Sequence, residues 1–302
     1  MKPFAPALLE WYAQHGRRHL PWRRSRDPYG VVVSEFMLQQ TQVDRVLPTF
    51  EAFIARLPDV NALAQAPTAE VIRLWRGLGY NSRAVRLQRL ARAVVAEHGG
   101  TIPRETEALL ALPGVGPYTV RAIRAFAFDC DEAAVDTNVR RVVHRVLFGI
   151  EYPPKAGIRE LDAAALASIP CRRGHDWNSA MMDLGATICT ARAPKCLVCP
   201  LREHCAAAPI DAGQLAAAAE QHAPKRSPQE RIPFKETTRF VRGRIVDRLR
   251  ELPPGRAISL LDLHHELHPV VKRDARSFQA IVASLARDGV IEEGELGISL
   301  AG

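Results

Sequence analysis

Four cysteines crowd into one short stretch of the chain, Cys189, Cys196, Cys199 and Cys205, separated by six, two and five residues. One compact loop can turn four thiolates so spaced toward a single centre, where they hold either zinc or a 4Fe-4S cluster. Spacing does not choose between the two. The 302-residue chain has only six cysteines, so four unrelated thiols would rarely gather in this way. Cys130 and Cys171 have no partner in sequence and are expected to pack as small apolar side chains.

Two carboxylates also stand out. Ser34-Glu35-Phe36-Met37-Leu38-Gln39-Gln40-Thr41-Gln42-Val43 sets a lone acid in an apolar, amide-rich helix. Ser34 can cap that helix, with Glu35 a favourable first-turn charge. A half-buried carboxyl can equally keep its proton toward neutrality and act as an acid. In Val135-Asp136-Thr137-Asn138-Val139, Asp136 precedes a basic helix, Arg140-Arg141-Val142-Val143-His144-Arg145, and can cap it for about 1 kcal/mol. Leu112-Pro113-Gly114-Val115-Gly116-Pro117-Tyr118-Thr119 lies between two helical segments. Its glycines permit a tight turn, and the amides opening the second helix can hold a phosphate. A plain Gly-rich turn between helices is the alternative.

The elements that must position these groups read as helix after helix through about residue 205. Apolar residues recur at three- and four-residue spacing, as in Leu87, Leu90, Ala91, Val94 and Val95, with punctuation at Leu57-Pro58, Gly99-Gly100 and Pro153-Pro154. Residues 206–237 have linker composition around Gln221-His222-Ala223-Pro224-Lys225-Arg226-Ser227-Pro228. From Thr238 a basic helix, two further helices and two short strands around Glu293-Gly294-Glu295 suggest a winged-helix-like module. The composition, 47% hydrophobic and 25% charged, excludes a disordered or collagen-like chain. No apolar run approaches the roughly 20 residues that span a bilayer, so no membrane is expected. The expectation is a soluble, unexported protein, cytoplasmic and nucleoid-associated. A net charge of +8 suits a polyanionic partner.

The cysteine loop, with Pro200 after its third ligand, and the glycine hairpin upstream together resemble the endonuclease III and MutY glycosylases of the helix-hairpin-helix superfamily. The likeness covers about residues 8–205, and the Glu35 decamer is its most specific part, resembling the catalytic segment of MutY adenine DNA glycosylases. The resemblance implies an all-α glycosylase body over 1–205, with a six-helix barrel at about 22–130 and a cluster part at about 1–21 and 131–205. A linker at 206–237 and the C-terminal module at 238–302 would follow. It implies a 4Fe-4S cluster on Cys189, Cys196, Cys199 and Cys205, with zinc the less favoured occupant.

It further implies excision, by a monomer on double-stranded DNA, of adenine mispaired with 8-oxoguanine or guanine. Glu35 would protonate adenine at N7 and help deliver water, while Asp136 would stabilise the oxocarbenium-like cation and Asn138 hydrogen-bond within the site. Tyr118 replaces the attacking Lys of endonuclease III, so a monofunctional enzyme with little lyase activity is expected. Tyr80, in Arg76-Gly77-Leu78-Gly79-Tyr80-Asn81-Ser82-Arg83, and Gln40 match wedges inserted into DNA; Gly114, Val115, Gly116, Thr119, Arg192 and Lys195 are the expected backbone contacts. The chain departs from many relatives in carrying Asn81 instead of a second Tyr. It also lacks room for a C-terminal domain related to nucleotide-pyrophosphate hydrolases. Alternatives are a mismatch thymine or uracil glycosylase, and a non-catalytic iron-sulfur redox sensor that binds DNA.

Overall fold

The computed structural model describes residues 3–152, 158–221 and 232–302; Pro153-Pro154 and the 222–231 part of the expected linker lie outside the described residues. In chain order the helices are α1 (Ala5–His15), α2 (Pro21–Arg24), α3 (Pro28–Leu38), α4 (Val43–Arg56), α5 (Val60–Gln65), α6 (Thr68–Leu74), α7 (Ser82–His98) and α8 (Thr106–Ala111). There follow α9 (Pro117–Phe128), α10 (Thr137–Phe148), α11 (Ile158–Ala167), α12 (Gly174–Thr187), α13 (Ala212–Gln221), α14 (Thr238–Arg250), α15 (Leu260–Val271) and α16 (Ala275–Arg287). Strands β1 (Ile291–Gly294) and β2 (Gly297–Leu300) pair antiparallel with Ile291 opposite Leu300. Among the described residues no helix is long and apolar enough to cross a membrane.

The chain divides into two compact units, one of residues 1–32, 104–110 and 115–224, the other of residues 33–103, 111–114 and 225–302. In the first, Val139, Val142, Val143 and Val146 form an apolar stripe on α10. They bury with Trp177, Ala180, Met181 and Leu184 of α12 and Leu8 and Tyr12 of α1. Gly185 lets α10 and α12 approach closely, since a Cβ there would stand 2.7 Å from the Asn138 Cβ. The stretch expected to be linker contains α13, whose Leu215 is buried. Cys171 does not pack as expected: it is exposed, on the turn closed by the Arg173 N–H and the Pro170 carbonyl, while Cys130 is half-buried.

In the second unit the helices after residue 237 start at side-chain caps. Thr237, Ser259 and Asp274 accept from the N–H groups of Phe240, Asp262 and Ser277. Val241, Ile245, Val246 and Leu249 of α14 bury against Leu263, Phe278, Val282 and Leu300, in a core that also takes Ile72 of α6 and Val85 of α7. Three helices followed by the β1–β2 hairpin, with Ile258 bridged to Ile298, give the winged-helix-like order expected from sequence.

Asp183 of α12, 1% exposed, ties the N-terminal segment to the first unit. It accepts from the Arg17 N–H at 2.8 Å, Arg17 Nε at 2.7 Å and Arg23 Nη1 at 2.7 Å. Burial alone would push this carboxyl up; the hydrogen bonds and charges of Arg23 and Arg17 outweigh it, and the net shift is downward. The contribution is therefore complete above the unfolded value of about 3.9 and is lost as pH falls through the lower folded value. Asp183→Asn should cost about 3 kcal/mol at neutral pH, because the largely buried Arg23 and the half-buried Arg17 lose their anion. Urea midpoints followed from neutral pH downward should show that the variant lacks the wild-type loss of stability below about pH 4.

Candidate functional site

Glu35 lies within the body of α3 rather than in a first turn, and Ser34 is buried instead of capping. The helix starts earlier because Asp27 Oδ2 accepts from the Gly30 N–H at 2.7 Å. Glu35 is half-buried between buried Ser34 and Phe36. The end of this helix is held by Arg83, 3% exposed, whose Nη1 donates to the carbonyls of Phe36 (2.9 Å), Met37 (2.8 Å) and Gln39 (2.6 Å). Its Nη2 donates to Thr41 Oγ1 at 3.0 Å and to the Leu78 and Gly79 carbonyls, each at 3.1 Å. Trp75 Nε1 also reaches the Gly79 carbonyl, at 3.3 Å. The two turns so joined carry Gln40 and Tyr80, both exposed and both left-handed, at φ 56° and 46°. Bulky residues persist in that region only where their surroundings over-determine them.

Asp136 caps α10, accepting from the N–H groups of Asn138 (2.8 Å) and Val139 (2.7 Å) and from Asn138 Nδ2 (3.1 Å). Burial raises its pKa, opposed by those hydrogen bonds and by the charge of Arg141. Asn138 Oδ1 in turn accepts from Arg141 Nη2 at 2.9 Å, and Arg141 Nε donates to the Cys189 carbonyl at 2.8 Å. A polar chain therefore runs from the carboxylate to the cysteine loop. In the hairpin, Gly114 has φ 80°, and a Cβ there would meet the Phe36 ring at 3.2 Å. Gly116 immediately precedes α9, Val115 and Thr119 are buried, and Tyr118 is exposed in the first turn.

Cys189, Cys196, Cys199 and Cys205 line one hollow with Val142, Val146, Leu184 and Ile188. Among the described residues no group of three or more His, Cys, Asp or Glu side chains is arranged to hold a single metal ion. Four thiols around one apolar hollow are the donor set of zinc or of an iron-sulfur cluster. Burial pushes the Cys199 thiol up to about 11 and raises Cys205, and the neighbouring cysteines add to both shifts. Such thiols ionise together only beside positive charge. Backbone hydrogen bonds reach Cys199 from Leu201 and Cys205 from Ala207 and Ala208, as suits thiolate ligands. Buried Arg145 donates to Cys189 Sγ at 3.4 Å and to the carbonyls of Thr190 (2.7 Å), Ala191 (3.2 Å) and Glu151 (2.9 Å). Arg192 and Lys195 are exposed on the same loop.

Sequence reasoning missed Arg83, Arg141 and Arg145 as organising residues. The i, i+4 spacing of Arg141 and Arg145 within a valine-rich helix was the available signal. Arg145→Gln removes the cation beside Cys189. It should lower cluster retention by roughly tenfold or more, measured as iron per chain and visible absorbance after dialysis against a chelator.

Residues 33–163 match the family model of the HhH-GPD superfamily base excision DNA repair proteins, and residues 189–205 match the iron-sulfur binding domain of endonuclease III. The chain thus carries an iron-sulfur binding loop over the stretch that contains the four cysteines. Among solved structures it resembles a thermostable thymine-DNA glycosylase, with TM-score 0.63 and 33% identity over 68% of this chain and 94% of that one. Endonuclease III in a non-covalent DNA complex shares the fold, with TM-score 0.58 and 22% identity over 70% of this chain and 94% of that one. The adenine DNA glycosylase of Homo sapiens is 44% identical over 68% of this chain and 39% of that protein. That of Mycolicibacterium smegmatis is 41% identical over 95% of this chain and 92% of that protein. Likeness of that extent, joined to the helix-hairpin-helix architecture and the iron-sulfur loop, means that the chain belongs to the adenine DNA glycosylase family of the HhH-GPD superfamily.

Proposed function

We propose that this protein is a monofunctional DNA glycosylase of base excision repair that acts as a monomer on double-stranded DNA and excises adenine mispaired with 8-oxoguanine or guanine. The observation that carries the reading is the near-full-length likeness to an adenine DNA glycosylase. The half-buried Glu35 segment and the half-buried Asp136, which caps its helix, agree with it. The division into a glycosylase body, a linker and a C-terminal winged module belongs to the same proposal.

The hairpin amides at Gly114, Val115 and Gly116, with Thr119 behind them and Arg192 and Lys195 on the cysteine loop, grip the phosphates. Tyr80 and Gln40 fill the stack as adenine is extruded, which costs least at a mispair. Glu35 gives its proton to adenine N7, and the glycosidic electron pair leaves with the base. The negative charge of Asp136 stabilises the cation left on the sugar. Water then adds to C1′ and returns a proton to Glu35, closing the cycle. Asn138 holds the Asp136 carboxylate through its side-chain amide. Tyr118 has no amine to attack the sugar, so strand cleavage does not follow. A bound 4Fe-4S cluster would stiffen the loop that presents Arg192 and Lys195.

Single-turnover base release from four duplexes tests this directly: adenine opposite 8-oxoguanine, adenine opposite guanine, thymine opposite guanine and uracil opposite guanine. Adenine release, fastest opposite 8-oxoguanine, is expected. Thymine or uracil release alone would assign the protein to mismatch thymine or uracil repair instead. Glu35→Gln should slow adenine release by roughly 10²- to 10⁴-fold while DNA affinity is retained. Because burial raises the Asp136 pKa and the reaction needs its ionised form, activity should fall on acidification at a pH above the ordinary Asp value of about 3.9. Asn138→Ala removes a hydrogen bond to the ionised carboxylate and should move that acid limb further up, as read from the pH dependence of the single-turnover rate.

A further inference from the structure

The C-terminal helices of the second unit hold the turn that carries Tyr80. Arg239, in the first turn of α14, places its guanidinium over the Tyr80 ring, with Cζ 4.0 Å from the ring centroid. Arg83 approaches the same ring at 5.7 Å. At the other end of α14, Arg250 has a side chain only 5% exposed, and its Nη1 donates to Asp247 at 2.8 Å. Its Nε and Nη2 donate to the Ile72 carbonyl at 3.1 and 2.9 Å, and Nη2 also reaches Asn81 Oδ1 at 2.8 Å. One helix therefore grips residue 80 from its first turn and residue 81 from its last.

The grip falls on a strained residue. Tyr80 is left-handed yet leaves 37% of its surface exposed. Arg239 makes no ion pair among the described residues, and Phe234, 60% exposed, lies 5.9 Å from it on the other side of the cap at Thr237 in sequence. An exposed cation beside two exposed aromatic rings is suited to DNA. Of the two rings, however, that of Tyr80 is the closer, at 4.0 Å against 5.9 Å. A ring already held in its inserting geometry loses less freedom on entering the base stack.

We propose that α14 is a clamp for the extrusion wedge, and that Arg239 is a positioning residue that acts on base extrusion through the Tyr80 ring and not as an independent phosphate contact. This rests on the reading of Tyr80 as the wedge. The C-terminal module then serves the glycosylase reaction even though it lacks the form expected of many relatives.

A double-mutant cycle tests it, with fluorescence of 2-aminopurine substituted for the target adenine opposite guanine as the extrusion readout and single-turnover adenine release as the second. Tyr80→Ala should cut extrusion roughly tenfold or more, the loss of one stacked aromatic. Arg239→Ala and Arg239→Gln should each cut it about fivefold, and Arg239→Lys should restore most of it, because the ammonium keeps a cation on the ring. In the Tyr80→Ala background, Arg239→Ala should have no further effect. An equal loss in both backgrounds, or a silent Arg239→Ala in the presence of Tyr80, overturns the clamp while leaving the wedge reading intact. A silent Tyr80→Ala overturns the wedge reading and the clamp with it. Equal losses in Arg239→Lys and Arg239→Gln would also overturn the proposal, since a merely structural stem would account for them.

Discussion

A guanidinium taken out of water and ligated by backbone carbonyls is the interaction on which the functional part of each unit depends. Arg83 gathers the carbonyls of Phe36, Met37, Gln39, Leu78 and Gly79 from two segments some forty residues apart in sequence. Carbonyls at helix ends and in turns have no partner within their own element, and leaving them buried and unpaired costs stability. A planar fork of five donors can serve them together, whereas the flexible ammonium of Lys cannot hold the same geometry. Burial pulls the Arg83 pKa down to about 10, so the charge survives at neutral pH. The strained backbone at Gln40 and Tyr80 is sustained by this node.

The first unit uses the same device around the cysteines. Arg141 and Arg145 lie one helical turn apart on α10 and reach the Cys189 carbonyl and Cys189 Sγ respectively. Arg145 is fully buried, and its surroundings are carbonyls and sulfur. Burial holds the Cys199 and Cys205 thiols against ionising, and the Arg145 guanidinium brings positive charge to the same loop at Cys189 Sγ. An anionic cluster bound on this loop would gain from the Arg145 charge beside it. Through Asn138, the same helix transmits that order to the Asp136 carboxylate.

Legibility in the sequence followed the range of the interaction. Helix punctuation, the cap at Asp136 and the turn at Gly114 are local, and each stands where the chain pattern places it. The C-terminal helices and hairpin were likewise readable from periodicity and caps. Ser34 misled because a Ser before an acidic residue has the pattern of a cap, while the helix had already begun after Asp27. Cys171 misled because burial of a lone thiol depends on packing around the turn that carries it, which spacing does not encode.

By itself, the sequence determined the all-helical body, the four-thiol loop and the two distinctive carboxylates, because caps, periodicity and ligand spacing act within a few residues along the chain. Only the tertiary structure decided which arginines are solvated charge and which are buried nodes. Arg83, Arg145 and Arg250 look alike in sequence to Arg192, yet their guanidinium groups meet carbonyls contributed by distant segments, those of Phe36, Thr190 and Ile72. It also decided that Arg239 meets Tyr80 and that Asn81 accepts from Arg250. Both pairings join residues more than 150 positions apart, and they exist only because a shared apolar core brings α14 against α6 and α7.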